Sequence, residues 1–145
     1  MYINSKTYYI PLFEGYCRQN QVDGKEILAS ISGIPVVLKL ATTIESISKG
    51  FMGKPEPKDN NGMLFVHPED EVLTYWMKDV KFPLDIMFFN SSMELIKYKT
   101  MDGYKGESDS DLIRYSSESP CRFAIEMKKN WCRDNNIIVG SKLKF

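Results

Sequence analysis

GMLFVHPEDEVLTYWMKDVKFPLDIMFF, residues 62–89, is the densest run of apolar and aromatic side chains in the chain. MLFV reads as one strand, HPEDE as a turn, VLTYWMK as a second strand, DVKF as a connection held by Pro83, and LDIMFF as a third strand. These segments are expected to be the central strands of a sheet. Two charges, Lys78 and Asp85, sit inside the run. With a two-residue period, Trp76 and Lys78 share one face, and Asp85, Met87 and Phe89 share one face of the next strand. If those strands pair, the two charges flank their connection and can meet across it. A buried charge is too costly to leave alone, so each is expected to pair with the other or with backbone donors. Catalysis would need a cleft and a perturbed pKa as well, which favours reading the pair as a fastener between strands.

Upstream, Asp23-Gly24 signals a turn. EILASIS and IPVVLKLA on either side of Gly33 then read as a first pair of strands. TTIESISKGFMGK carries Thr42 and Glu45 at capping-box spacing, with Ile44, Ile47 and Phe51 on one helical face and Gly50 and Gly53 closing the helix. KPEPKDNNG, residues 54–62, is a surface loop. Downstream, MELIKYKTM suits an outer strand whose lysines discourage edge pairing. DGYKGESDSD is a loop, and IRYSSESP leads into CRFAIEM, another strand. KKNWCRDN is a helix of about two turns, and IIVGSKLKF turns at Val139-Gly140 into a last short strand.

The length of 145 residues fits one domain with a core of its own. Lys+Arg of 19 against Asp+Glu of 19 leaves no net charge, so neither nucleic acid nor a membrane surface is expected as a partner. Three cysteines without C-x-x-C spacing suggest reduced thiols and a cytoplasmic protein. The start lacks the pattern of a secretory signal, and no run is long enough to span a membrane. Residues 1–25 differ from the rest and read as an arm or docking extension, with Leu12, Phe13 and Tyr16 forming one stripe on a short helical candidate. Residues 26–145 form the domain proper.

Five motifs in order, GFMGK at 50–54, GMLFVHP at 62–68, YWMKDVKFPLDIMFF at 75–89, YSSESPCRFAIEM at 115–127 and NWCRDNNIIVGSKL at 130–143, resemble the bacterial and archaeal domain of unknown function, family 192. The resemblance implies a compact α+β domain: a β-rich, curled, partly barrel-like, mostly antiparallel sheet with two short helices. It carries no established reaction. The chain departs from the family pattern at Asp79 and Val80, where Asn-Thr is usual, and at Ser141, where Asp is usual. IPLFEGYCRQ in the arm is loosely similar to the openings of short proteins of large tailed phages.

Candidate chemistry is sparse. His67 is the single histidine, and beside Pro68 it reads as a solvent-facing turn residue. A Cys121–His67 nucleophile pair stays open, although free cysteines are more often small hydrophobes. Ser116 and Ser117 lack a G-x-S-x-G elbow, and GFMGK lacks the spacing of a phosphate loop. Glu107, Asp109 and Asp111 lack the framework of a calcium loop. No cofactor and no metal is expected. Two functional readings follow. One is a non-catalytic protein-binding or self-assembly module, such as a virion component of a phage, that docks through Leu12, Phe13 and Tyr16 and through loops 54–61 and 102–111. The other is a small-molecule-binding protein or small enzyme with a pocket around Trp76, Lys78, Asp85, Tyr115 and Ser116.

Overall fold

The computed structural model describes residues 23–145. The arm, with Leu12, Phe13 and Tyr16, lies outside the described residues. The elements are β1 (Glu26–Ile31), β2 (Ile34–Ala41), α1 (Ile44–Lys49), β3 (Asn61–Tyr75), β4 (Leu84–Phe89), β5 (Leu95–Met101), β6 (Tyr115–Lys128), α2 (Trp131–Asp134) and β7 (Leu143–Lys144). They build one seven-stranded sheet in the order β5-β4-β6-β3-β2-β1-β7. Every pair is antiparallel except β2 with β3. The α1 crossover and the Pro-containing loop after it carry the chain back to the starting end of β2, as a parallel pair demands. The sheet curls into a half-barrel, and a bridge between Glu94 and Lys142 ties the start of β5 to the segment before β7.

Local chemistry explains the turns. Ser32 and Gly33 join β1 to β2 with φ of 51° and 78°, the left-handed pair that a two-residue type I′ hairpin turn uses. α1 is capped by Thr43 and Ser46, whose side chains each accept the other's backbone N–H at 3.1 Å. The box therefore lies one residue beyond the expected Thr42. The backbone N–H of Thr42 instead donates to Asp23 Oδ1 at 2.8 Å.

Each face of the sheet has its own core. All seven strands contribute to the inner face, through residues such as Ile31, Leu38, Leu64, Met87, Leu95, Ile125 and Leu143, and α2 adds Trp131 and Cys132. On the outer face, Phe65, Tyr75, Ile86, Phe88 and Ala124 are covered by Ile47 and Phe51 and by Met77 and Val80 of the β3–β4 connection. The rings of Phe51 and Phe82 meet edge-on at 6.1 Å and join the two covering segments. With both faces covered, all six residues of β4 are buried, which is why LDIMFF shows no polar alternation.

The expected strand–turn–strand of residues 63–78 is one continuous strand with an irregularity. His67 to Asp70 stand opposite the single residue Arg122, because pairing passes from Val66↔Phe123 to Glu71↔Cys121. Arg122 Nε donates to the carbonyl of His67 at 2.6 Å across this bulge. At this bulge His67 is carried inward to 0% exposure, correcting the expectation of a solvent-facing histidine. β3 also stops at Tyr75, so Trp76 and Lys78 lie in a loop and not on a strand.

Candidate functional site

Lys78 and Asp85 do not fasten each other. Asp85 points to the inner face, 1% exposed. Its Oδ1 accepts from Thr100 Oγ1 at 2.7 Å and from Asn130 N at 3.0 Å, and its Oδ2 accepts from Cys132 N at 3.0 Å. The carboxylate thus pins β5 and the start of α2 to β4, satisfying backbone donors that the short helix cannot satisfy itself. Trp131 Nε1 donates to Asn60 Oδ1 at 2.9 Å and holds the same turn from the β3 side. The expected fastener exists, with backbone amides in place of the lysine.

Lys78 turns the other way. Its ammonium pairs with Asp109 Oδ1 at 2.8 Å, an exposed contact that raises the lysine pKa through that hydrogen bond. The same ammonium lies 5.6 Å from the Trp76 ring centre, and the Arg114 guanidinium lies 5.2 Å from it. A half-buried indole therefore lies within reach of two cations for cation–π attraction. Arg114 is held by the carbonyls of Asp109 and Leu112 at 3.2 and 3.1 Å. Ile113 beside it is 57% exposed. Loop 102–114 is locked to the β3–β4 connection by Tyr104 N donating to the Val80 carbonyl at 2.7 Å, and a Cβ at Gly103 would strike the Lys81 carbonyl at 2.7 Å.

The other residues of the expected pocket do not converge here. The Tyr115 hydroxyl accepts from Asp102 N at 3.2 Å, and burial raises its pKa. The cavity beside it is about 20 Å³, room for about one water. Ser116 Oγ accepts from Glu118 N at 3.0 Å and shapes a turn within β6. Of the five candidates, Trp76 and Lys78 share a surface, Tyr115 borders it, and Asp85 belongs to the opposite face of the sheet.

The potential nucleophiles and bases are inward and neutral. Burial, with Arg122 nearby, lowers the His67 pKa to about 3, and its Nε2 lies 2.7 Å from the Tyr75 hydroxyl. Burial raises the Cys121 thiol to about 11, and it raises Cys132 further, with Asp85 adding to the effect. Such thiols carry little thiolate at neutral pH. Among the described residues, no three His, Cys, Asp or Glu side chains are grouped to hold a metal. Asp109 is taken by Lys78, and Asp111 accepts from Ser108 Oγ at 3.0 Å.

A model of the family described as uncharacterized ACR, domain of unknown function 192, matches residues 27–145. The chain belongs to that family. Two solved structures share the DUF192 chain's fold. A protein of Sinorhizobium meliloti 1021, described as a proposed transcription regulator, superposes with a TM-score of 0.74 at 20% identity over 86% of this chain and 96% of the other. A protein of unknown function from Novosphingobium aromaticivorans DSM 12444 superposes with a TM-score of 0.71 at 22% identity, over 83% and 85%. No curated protein matches.

A second concave region lies on the outer face of this DUF192 domain. A cleft of about 270 Å³ runs between β2 and loop 54–61, lined among others by Lys39, Phe51, Lys54, Pro57, Gly62 and Met63. Glu26 and Glu56 also border it. Burial first, then Lys49 and Lys39, lower the Lys54 pKa, and its ammonium donates to the Gly50 carbonyl at 2.8 Å. Residue reading singled out neither this cleft nor Arg114, because lysines in a Pro-rich loop and an arginine before a strand look like ordinary solvated charges. Helices long and apolar enough to cross a membrane are absent among the described residues.

Proposed function

We propose that this chain is a non-catalytic binding module that recognises a protein partner through the surface formed by Trp76, Ile113 and Arg114, with loop 102–111 as its rim. The observation that carries the reading is the indole flanked by two cations, with Lys78 and Arg114 at 5.6 and 5.2 Å from its ring centre. Trp and Arg are the residue types that most often dominate binding energy at protein interfaces, particularly when rigidly presented. Here the Lys78–Asp109 pair and the two carbonyl contacts of Arg114 fix the patch before any partner arrives, so little side-chain entropy remains to be lost on docking. The exposed Ile113 supplies an apolar neighbour.

Support against a hydrolytic or thiol-based reaction comes from the burial and neutrality of His67, Cys121 and Cys132. Buried free thiols also suit a reducing compartment, which for this reading is the cytoplasm, with incorporation into a virion as the proposed destination if the chain is phage-encoded. The arm stays a proposed second docking element. The test is affinity capture from the native source with the intact chain and with Trp76→Ala/Arg114→Ala. The reading expects a defined partner retained by the native chain and lost by the folded variant. Equal capture by both would overturn it.

A further inference from the structure

On the outer face, one lateral row of paired positions runs Lys39 on β2, Met63 on β3, Glu126 on β6, Ile86 on β4 and Lys99 on β5. Glu126 is the anomaly in it. Its side chain is 0% exposed, and among the described residues neither carboxyl oxygen has a hydrogen-bond partner. Buried polar atoms in folded proteins are nearly always satisfied, so each exception calls for an explanation. Met63, the direct neighbour of Glu126 in the row, also lines the cleft that Lys39 and Lys54 border. In the row Met63, with its flexible, unbranched thioether, stands between Glu126 and Lys39. Gly62 keeps the strands close at this point, because a Cβ there would strike the Glu126 carbonyl and Met127 Sδ.

We propose that the cleft and the Glu126 carboxyl form one ligand site with Met63 as its gate, taking a small linear molecule with an amine at one end and a carboxylate at the other. The amine would reach Glu126 and supply the donors that its oxygens lack. The carboxylate would remain at the mouth, facing Lys39 and Lys54. Two strand steps separate Lys39 from Glu126, about 10 Å between backbones, which an extended chain of several methylenes spans once the side chains reach inward. Phe51, Pro57 and Met63 would line those methylenes. At about 270 Å³ the cleft is just below the usual volume of pockets for drug-sized ligands, in keeping with a smaller guest. The inference does not rest on the Trp76 surface, which lies on other loops.

The probe is 6-aminohexanoate, with hexylamine and hexanoate as one-ended controls, titrated into the full chain and followed by backbone amide NMR. Saturable shifts are expected at Gly62, Met63 and the residues flanking Glu126. Each one-ended control should bind about tenfold or more weakly, the loss of one charge-assisted contact. Glu126→Gln, which keeps the shape and removes the acid, should weaken 6-aminohexanoate by a similar factor. Lys39→Gln, an exposed change that leaves the core intact, should weaken 6-aminohexanoate and leave hexylamine unaffected. Absence of saturable shifts at these residues, equal binding by hexanoate, or unchanged binding in a folded Glu126→Gln chain would each overturn the proposal.

Discussion

Replacing Glu126 with glutamine should change how stability responds to pH. Burial lifts the carboxyl from an ordinary 4.5 to about 8. The folded state therefore keeps a proton that the unfolded chain releases, and stability from this group is full below pH 4.5 and falls as pH rises toward 8. Each pH unit in that window costs about 1.4 kcal/mol. Between pH 5 and pH 8 the stability of the native chain should thus fall by about 4 kcal/mol relative to that of Glu126→Gln. His67 acts with the opposite sign. Its pKa falls from 6.5 to about 3, so protonating the unfolded chain weakens the fold as pH drops below 6.5. The two slopes cancel between about pH 4.5 and 6.5, giving the native chain a plateau there with an alkaline decline from Glu126 and an acid decline from His67. Urea unfolding of both chains from pH 4 to 9 is the assay. Parallel curves above pH 5 would refute the reasoning, because they would mean that the carboxyl reaches water or a partner in the folded state.

Gly62→Ala should destabilise the fold by about 2 kcal/mol, since the new methyl must displace the Glu126 carbonyl across the strand pair; a thermal melt within error of native would contradict this. Cys121 and Cys132, both buried, should resist a thiol reagent at pH 8 in the native state and react fully in denaturant, as peptide mapping of the labelled chain would show. Labelling of either in the native chain at the rate of a free thiol would remove one support for the non-catalytic reading.

Much of the architecture is legible in the residues. The β1–β2 hairpin follows from strand-forming residues around Ser32-Gly33, and LDIMFF predicts the strand Leu84–Phe89 without error at either end. The lysines of MELIKYKTM belong to the strand at one end of the sheet order. The misreadings share one cause: local pattern is blind to what lies across the strand. HPEDE looks like a turn, and its Pro and acids do leave regular pairing, but Arg122 on β6 bridges the gap and keeps β3 continuous. Two-residue alternation correctly sends Asp85 to one face with Met87 and Phe89, yet its true partners are backbone amides 45 and 47 residues away. In CRFAIEM, alternation gives Glu126 a face of its own beside Ala124. Only the flanking of β6 by β3 and β4, and the covering of that face by α1 and the β3–β4 connection, turn an apparent surface acid into a buried one.

The claim on which the rest leans is that the carboxylate of Asp85 anchors α2 from within, while Lys78 belongs to the surface. A double-mutant cycle on unfolding free energy, with Asp85→Ala, Lys78→Met and the pair, tests it most directly. Asp85→Ala should cost on the order of 3 kcal/mol or more by stranding the amides of Asn130 and Cys132. Lys78→Met should leave stability close to native, as loss of an exposed ion pair does, and the coupling between the two should be near zero. A mild effect at Asp85, or a coupling of about 1 kcal/mol or more between the two residues, would contradict the account.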